Sequence, residues 1–309
     1  MKLIVMVPCF NEEQTLPLVI NSIPKRIAGV DQLETLIVDD GSSDRTVQVA
    51  KQLGVTHIIR HSSNKGLARA FETGLRECLR KGADIIVNTD GDNQYPQQDI
   101  PKLIRPILEG KAEMVIADRQ TDQIEHFSPA KKFLQKFGSW VVRTLSGVKV
   151  PDAVSGFRAY SAEAAKQLHI VTEFSYVIET IIQASKKKIK IATVKVSTNE
   201  KTRESRLFKS NWSHVKNSAA TIVRVFAMYE PLKTFSFIAT GFLLPGLLLV
   251  GRFLYFYLFV PGAGSGKVQS LIMAAVLIIV GFQVFLIGLI ADLIAGNRKL
   301  IEKELEGKR

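Results

Sequence analysis

Apolar and polar positions alternate in blocks through most of this chain, and near the C-terminus the alternation stops. "KLIVMVP" is a short apolar run, followed by a polar turn and by "NEEQTLPLVINSIP" at helical spacing. "LETLIVDDGSSDRTVQVAKQLG" repeats the plan, with Ser43 or Asp44 as N-cap of a helix that starts near Arg45. "VTHIIRH" predicts a third strand, and "NKGLARAFETGLRECLRKG" a loop and a helix that stops near Gly82. "ADIIVNTDGD", "PQQDIPKLIRPILEG" and "AEMVIADRQ" then predict strand, helix and strand. Nearly continuous apolar strands alternating with helices predict an α/β fold, a mostly parallel sheet with helices on both faces. Ligands of such sheets bind beyond the carboxyl ends of the strands. The polar turns "PCFNEE", "DDGSSD", "TDGDNQ" and "ADRQ" all fall at that edge, so their acids are expected to converge.

From Phe235 to Val260, and again from Val268 to Ala295, the sequence is almost uninterruptedly apolar. Each run exceeds the roughly 20 residues that cross a bilayer core as a helix, and core helices of soluble proteins are shorter and amphipathic. Arg252 lies near the far end of the first run, where a long side chain can snorkel, and Tyr255 and Tyr257 flank it as interfacial aromatics do. Pro245 and Gly246 are expected to kink that helix. The short "PGAGSGK" loop makes the pair an antiparallel transmembrane hairpin. The expected organisation is a cytosolic catalytic domain over 1–210, a juxtamembrane amphipathic helix over 211–233, the hairpin over 234–296 and a basic tail over 297–309.

Charge refines this picture. Arg224 and Lys233 precede the hairpin, Arg298, Lys299, Lys303, Lys308 and Arg309 follow it, and the loop carries Lys267 alone. The positive-inside bias therefore puts the large domain and the tail in the cytoplasm, on a multi-pass protein of a cell or ER-type membrane. "MKLIVMVPCF" runs straight into a polar loop and reads as no signal peptide, and Cys9 and Cys78 are then reduced thiols. The formal net charge of +12 needs an anionic partner. With a hairpin present, the lipid bilayer accounts for it better than nucleic acid does. "PAKKFLQKFGSWVVRTLSG" can put Phe133, Phe137, Trp140, Val141 and Leu145 on one face beside its lysines, which suits a helix lying on the bilayer or one packed on the sheet. The hairpin also offers a route to homo-oligomers, although no motif marks one.

The candidate chemistry sits at the strand ends. No glycine-rich phosphate loop of either common pattern occurs, which counts against a P-loop enzyme or a dinucleotide oxidoreductase. The histidines, at 57, 61, 126, 169 and 214, show no metal-ligand spacing. Asp90 and Asp92 stand one residue apart, and acids that close repel unless a divalent metal, an Arg or Lys, or water intervenes.

In that order, "VPCFNEE", "IVDDGSSDRT", "NKGLARAFETG", "TDGDNQYP" and "PDAVSGFRAYS" resemble the inverting family 2 glycosyltransferases of GT-A fold. The similarity is closer to the polyprenyl-phosphate branch, the dolichol-phosphate mannose synthases and undecaprenyl-phosphate glucosyltransferases. The resemblance implies that Asp90 and Asp92 are the DxD acids holding Mg²⁺ or Mn²⁺ against a nucleotide diphosphate, with Gln94 as third ligand. Asp39 and Asp40 match the acids contacting base and ribose, with Pro8 and Glu12 beside them, and Lys65 and Gly66 match the loop enclosing the nucleotide. Asp152 matches the branch's proposed catalytic acid residue, and Ser155 the "SGF" segment near sugar and acceptor. Arg119 and Lys131 match phosphate-binding arginines, the second replaced here by lysine. Arg203 and Arg206 match the branch's basic C-terminal loop, which here lacks its usual glycine.

The chemistry has use for such residues. Breaking the anomeric C–O bond of a sugar nucleotide builds negative charge on the departing diphosphate, and a divalent cation stabilises it without moving a proton. A lipid monophosphate, with a second pKa of about 6, is mostly dianionic at neutral pH and needs no strong base. Asp152 is then expected to position groups, or to act as the base. Bringing an anionic acceptor to an anionic donor calls for cations, offered by Arg119, Lys131, Lys132, Arg158, Arg203, Arg206 and Lys209. The expected activity is transfer of a single sugar from a UDP-hexose or GDP-mannose donor to polyprenyl phosphate. A processive polysaccharide synthase would show a QxxRW motif and more membrane helices, and a non-catalytic scaffold would not need intact acids at every expected position.

Overall fold

The computed structural model describes residues 1–120, 147–148, 150–170, 176–199, 224, 227, 230–260 and 268–307, with only the backbone path given for 298–307. Lys131, Lys132, Arg203, Arg206, Lys209, the helix expected over 133–145 and most of the one expected over 211–233 lie outside the described residues. The chain divides into two compact units, Met1–Ile222 and Val223–Arg309, so the observed boundary falls inside the expected juxtamembrane helix.

In the first unit, β1 (Lys2–Cys9), β2 (Gln32–Asp39), β3 (His57–Arg60), β4 (Ile85–Asn88) and β5 (Met114–Asp118) stand where the apolar runs predict them. Two strands went unassigned in the sequence, β6 (Arg158–Ser161) and β7 (Ile191–Lys195). The sheet order is β3-β2-β1-β4-β6-β5-β7. All pairings are parallel except those of β6, which runs antiparallel to β4 and β5. The short "RAYS" opens on a charged residue, so its pattern shows no apolar run, yet every residue in it is buried. The reversal matters for the site. Arg158 pairs with Asn88 and Ile116, so the segment entering β6 arrives at the edge where β1, β2, β4 and β5 end.

The helices are α1 (Leu16–Ser22), α2 (Thr46–Gln52), α3 (Leu67–Arg80), α4 (Ile100–Leu108), α5 (Ala162–Gln167) and α6 (Tyr176–Lys186). Leu3, Val5 and Val7 of β1 join Leu16, Val19, Ala50, Leu103 and Ile104 in one core, which places α1, α2 and α4 on one face. On the other face α3 lies so close that a Cβ on Gly74 would meet Met6 Sδ at 3.0 Å and Val38 Cγ2 at 3.1 Å. Helices thus cover both faces, as the strand pattern requires. The helix after β2 starts one residue later than expected, with Asp44 Oδ1 accepting from Thr46 N at 3.0 Å.

The second unit is a pair of helices, α7 (Pro231–Phe259) and α8 (Val268–Gly307), each long and apolar enough to cross a membrane, with mean hydropathies of 1.9 and 2.7. A Cβ on Gly288 would meet Phe235 Cβ at 2.7 Å, one on Gly281 would meet Leu243 Cγ at 2.7 Å, and one on Gly246 would meet Ile278 Cγ1 at 2.8 Å. Positions rise on one helix as they fall on the other, so the pair is an antiparallel hairpin in which small residues let the backbones approach. Both helices outrun the apolar segments. The tail expected to follow the hairpin continues α8 as far as Gly307, because "RKLIEKELEG" is rich in good helix formers.

Candidate active site

The edge formed by the carboxyl ends of β1, β2 and β3 is an interlocked set of turns. Asp40 accepts from His61 Nδ1 at 2.7 Å, Lys65 N at 2.9 Å and Gly66 N at 2.8 Å, so its carboxylate holds the loop that opens α3. His61 Nε2 in turn lies 3.0 Å from Thr73 Oγ1. Gly41, at φ 75°, lets the β2 turn lie against that loop, where a Cβ would meet Ser63 C at 2.6 Å. Asn11 fastens the first turn to the second: its Oδ1 accepts from Ser43 N and its N–H donates to Ser42 Oγ, both at 2.8 Å. Asp39 is fully buried. Its Oδ1 accepts from Ser42 N at 3.3 Å, while Oδ2 lies 3.2 Å from Arg60 Nε, out of line for a hydrogen bond. One buried acceptor of Asp39 is therefore unused among the described residues.

At the ends of β4, β5 and β6 the side chains face one another. A Cβ on Gly156 would meet Asp90 Oδ2 at 2.8 Å, so the β6 entry segment lies directly against this carboxylate. Gly91 packs on the first turn less tightly, where a Cβ would meet Glu12 Cγ at 3.1 Å and Pro8 O at 3.5 Å. Burial, and then the charge of Asp92, push the Asp90 pKa up to about 7, against the opposing influence of Arg119. Arg119, from the end of β5, grips Asp152 through Nε to Oδ2 at 2.6 Å and Nη2 to Oδ1 at 3.0 Å. Both are nearly buried, at 9% and 3% side-chain exposure, so this is a dry bidentate ion pair. Tyr95 links these groups. Its hydroxyl accepts from Gly156 N at 3.0 Å, its ring stacks on Phe157 at 5.2 Å, and the Arg119 guanidinium lies 6.0 Å from its centroid. Burial pushes the Tyr95 phenol up to about 12.

The predicted residues thus fall into two groups. Asp39, Asp40, Lys65 and Gly66 share the β2–α3 end of the edge. Asp90, Asp92, Gln94, Arg119, Asp152 and Ser155 share the β4–β6–β5 end, with Pro8 and Glu12 between them. Arg158 is corrected: it is fully buried and donates to the carbonyls of Ser155, Ala153 and Val177 and to Thr180 Oγ1, so it braces the β6 entry and is no surface cation for phosphate. Ser155 is buried, and its hydroxyl has no hydrogen-bond partner among the described residues. An open groove of about 420 Å³ runs along α3, lined by His61, Lys65, Arg69, Glu72, Thr73 and Arg76. The carboxylates of the second group do not line it.

The fit of a divalent cation can be judged from the donors. No cluster of three or more acidic, His or Cys side chains suited to hold a metal alone occurs among the described residues. Gln94 Nε2 donates to Asp92 Oδ2 at 2.8 Å, so the amide braces Asp92 through its nitrogen. Two carboxylates in one turn, one of them buried and pushed up by the other, suit a hard cation whose shell is completed by substrate phosphates. Sequence reasoning gave no role to Tyr95, Asn88 or Asn199, and reached Gly156 only as part of the "SGF" segment. Asn88 Nδ2 donates to Gly156 O and to Tyr176 Oη, both at 2.8 Å, and Asn199 Nδ2 donates to Asn93 O at 2.9 Å, holding the DxD turn from behind. Tyr95 and Gly156 lie inside the motifs quoted above; nothing local marks Asn199.

The family model described as glycosyl transferase family 2 matches residues 4–168, more than half of the chain. The chain belongs to glycosyl transferase family 2. This glycosyltransferase is 32% identical over 214 residues to the UDP-N-acetylglucosamine–dolichyl-phosphate N-acetylglucosaminyltransferase of Methanococcus voltae, covering 62% of this chain and 84% of that one. It is 25% identical over 308 residues to the dodecaprenyl-phosphate galacturonate synthase of Rhizobium johnstonii, with coverages of 96% and 88%, so that match runs through the hairpin. Among solved structures it resembles glucosyl-3-phosphoglycerate synthase from Mycobacterium tuberculosis, crystallised with Mn²⁺, UDP and glucosyl-3-phosphoglycerate. The TM-score is 0.53 at 23% identity, covering 73% of this chain and 78% of that one. That likeness is one of fold, and the first unit has the GT-A fold.

Proposed function

We propose that the glycosyltransferase moves one sugar from a nucleotide-diphosphate sugar, a UDP-hexose or GDP-mannose, to a polyprenyl phosphate, with inversion, while the hairpin anchors it in a membrane with its catalytic unit on the cytoplasmic side. A phosphate oxygen of the acceptor forms a bond to the anomeric carbon as the anomeric C–O bond to the diphosphate breaks, and the nucleoside diphosphate leaves with the electron pair. The observation that carries this reading is the meeting of Asp90, beside its DxD partner Asp92, with the Arg119–Asp152 pair around Gly156. A divalent cation, Mg²⁺ or Mn²⁺, held by Asp90 and Asp92 supplies charge neutralisation for the leaving diphosphate. Gln94 braces Asp92. Asp39, with its unused buried acceptor, is suited to an N–H of the nucleobase, and Asp40 acts through the Lys65–Gly66 loop.

Asp152 has both oxygens engaged by Arg119, which favours positioning over proton removal. A dianionic acceptor has no proton to lose, in agreement. Arg119, Lys131, Arg203 and Arg206 are assigned to phosphate groups, with Arg119 held ready by Asp152. The names of the relatives support the acceptor class: those from Methanococcus voltae and Rhizobium johnstonii carry dolichyl phosphate and dodecaprenyl phosphate in their descriptions. The test is incubation of membranes containing the protein with a panel of radiolabelled nucleotide sugars and polyprenyl phosphate. A mild-acid-labile lipid product that needs added Mg²⁺ or Mn²⁺ is expected. Transfer to a growing polysaccharide, or to no lipid under any donor, would refute the proposal.

A further inference from the structure

β7 runs parallel to β5, so the chain that leaves it at Lys195 emerges on the edge that carries the acids. Residues 196–199 then cross that edge as a strap. Val196 N donates to Asp118 O at 3.0 Å, at the residue before Arg119. Ser197 N donates to Asp99 Oδ2 at 3.4 Å, at the start of α4. Asn199 closes the strap on the DxD turn, and it does so twice. Its backbone N–H donates to Gln94 O at 3.0 Å, while its Nδ2 donates to Asn93 O at 2.9 Å and lies 3.5 Å from Asn93 Oδ1. One residue thereby takes two successive carbonyl oxygens of the turn.

The turn has need of that hold. Asn93 stands at φ 59°, a left-handed conformation that persists where its surroundings fix it. Gln94 passes the hold on to the carboxylate: its N–H donates to Asp92 Oδ1 at 3.2 Å and its Nε2 to Asp92 Oδ2 at 2.8 Å. Both oxygens of Asp92 are thus oriented by a residue whose own peptide is fixed by Asn199. A carboxylate has about four acceptor sites, so these two bonds do not by themselves exhaust it. We infer that Asn199 is a positioning residue for the reaction: acting through Gln94, it sets the Asp92 carboxylate for the divalent cation that accompanies the donor diphosphate. Groups that orient a metal's ligands control its affinity without touching it. The residue type follows from the task. Two neighbouring carbonyls need two donors, and a backbone N–H beside a carboxamide supplies both, whereas an aspartate would turn an acceptor towards Asn93 O. The inference rests on the proposed metal-dependent reading of the site.

The experiment uses the full chain in detergent micelles, with Mn²⁺ alone as the probe and free Mn²⁺ read by electron paramagnetic resonance. Asn199→Ala is expected to raise the Mn²⁺ dissociation constant about tenfold, with little change in the melting temperature. Thr198→Ala, one residue away and without a side-chain hydrogen bond among the described residues, is expected to leave it unchanged. In transfer assays the metal-activation curve of Asn199→Ala should move to higher Mn²⁺ by the same factor and reach the parental plateau. The double variant with Gln94→Ala should lose less affinity than the two single losses combined, because both changes weaken one line of support. Should Asn199→Ala not fold, Asn199→Ser keeps a donor on a shorter arm and is expected to bind Mn²⁺ more weakly than the parent. Unchanged Mn²⁺ affinity in the Asn199 variants, an equal loss in Thr198→Ala, or strict additivity with Gln94→Ala would each overturn the positioning role. A parent chain that binds no Mn²⁺, with or without UDP or GDP, refutes the metal reading itself. Parental binding that is indifferent to Asn199 refutes this inference alone.

Discussion

The two ends of the sheet's carboxyl edge use acidic residues in opposite ways. At the β2–α3 end, Asp40 is saturated by two backbone N–H groups and a histidine, and the result is a rigid frame of turns. At the β4–β6–β5 end, burial and another carboxylate in the same turn together push Asp90 up to about 7, while Arg119 is ion-paired with Asp152. The first arrangement is complete without ligand. The second keeps two like charges in one turn, the arrangement to which the proposed function gives a cation.

Substitutions can break that comparison. The largest effect is expected from Asp92→Ala, which should lower sugar transfer about a thousandfold with little change in the melting temperature; removal of divalent cations by chelation should do the same. Activity that survives either treatment would place the chemistry elsewhere. Next comes Arg119→Ala, which strands a buried carboxylate and should destabilise the first unit by about 3–5 kcal/mol. The double variant with Asp152→Ala should recover much of that loss in a denaturation cycle, and strict additivity would show that the pair does not act as a unit. At the other end, Asp40→Asn leaves three donors with a weaker partner and should cost about 1–3 kcal/mol. In steady-state kinetics its penalty should appear in the KM for the nucleotide donor more than in kcat.

The smallest effect is expected away from both ends. Burial alone would raise the Glu34 carboxyl, but hydrogen bonds from Lys2 and His57 outweigh it and hold the pKa below its ordinary value. A lowered carboxylate stabilises the fold above its unfolded pKa and loses that contribution as pH falls through the folded one. Glu34→Gln should therefore cost less than about 1 kcal/mol at neutral pH and nothing in strong acid, as read from melts across that range. A larger loss at pH 7 would mean that this pair organises the β2–β3 end as Asp40 does.

Much of this was legible in the sequence, because the information is local. An apolar run ending in an acidic turn is a strand with a ligand edge, so β1 to β5, the DxD turn and the Asp39–Asp40 turn stood where their own residues put them. The membrane-type helices were equally legible, since spans of 29 and 30 mostly apolar residues need no tertiary partner to be recognised. What the chain order hid was everything that depends on a reversal or on distance along the sequence. β6 runs antiparallel, and only that direction carries Asp152, Ser155 and Gly156 to the DxD acids. Arg158 reads as a phosphate cation until its burial shows it bonded to carbonyls, and nothing near Asp40 in the chain shows that its carboxylate holds the 61–66 loop. Charge and pattern are written residue by residue, but whether a charge is free or engaged is decided by which distant backbone group the fold brings within 3 Å of it.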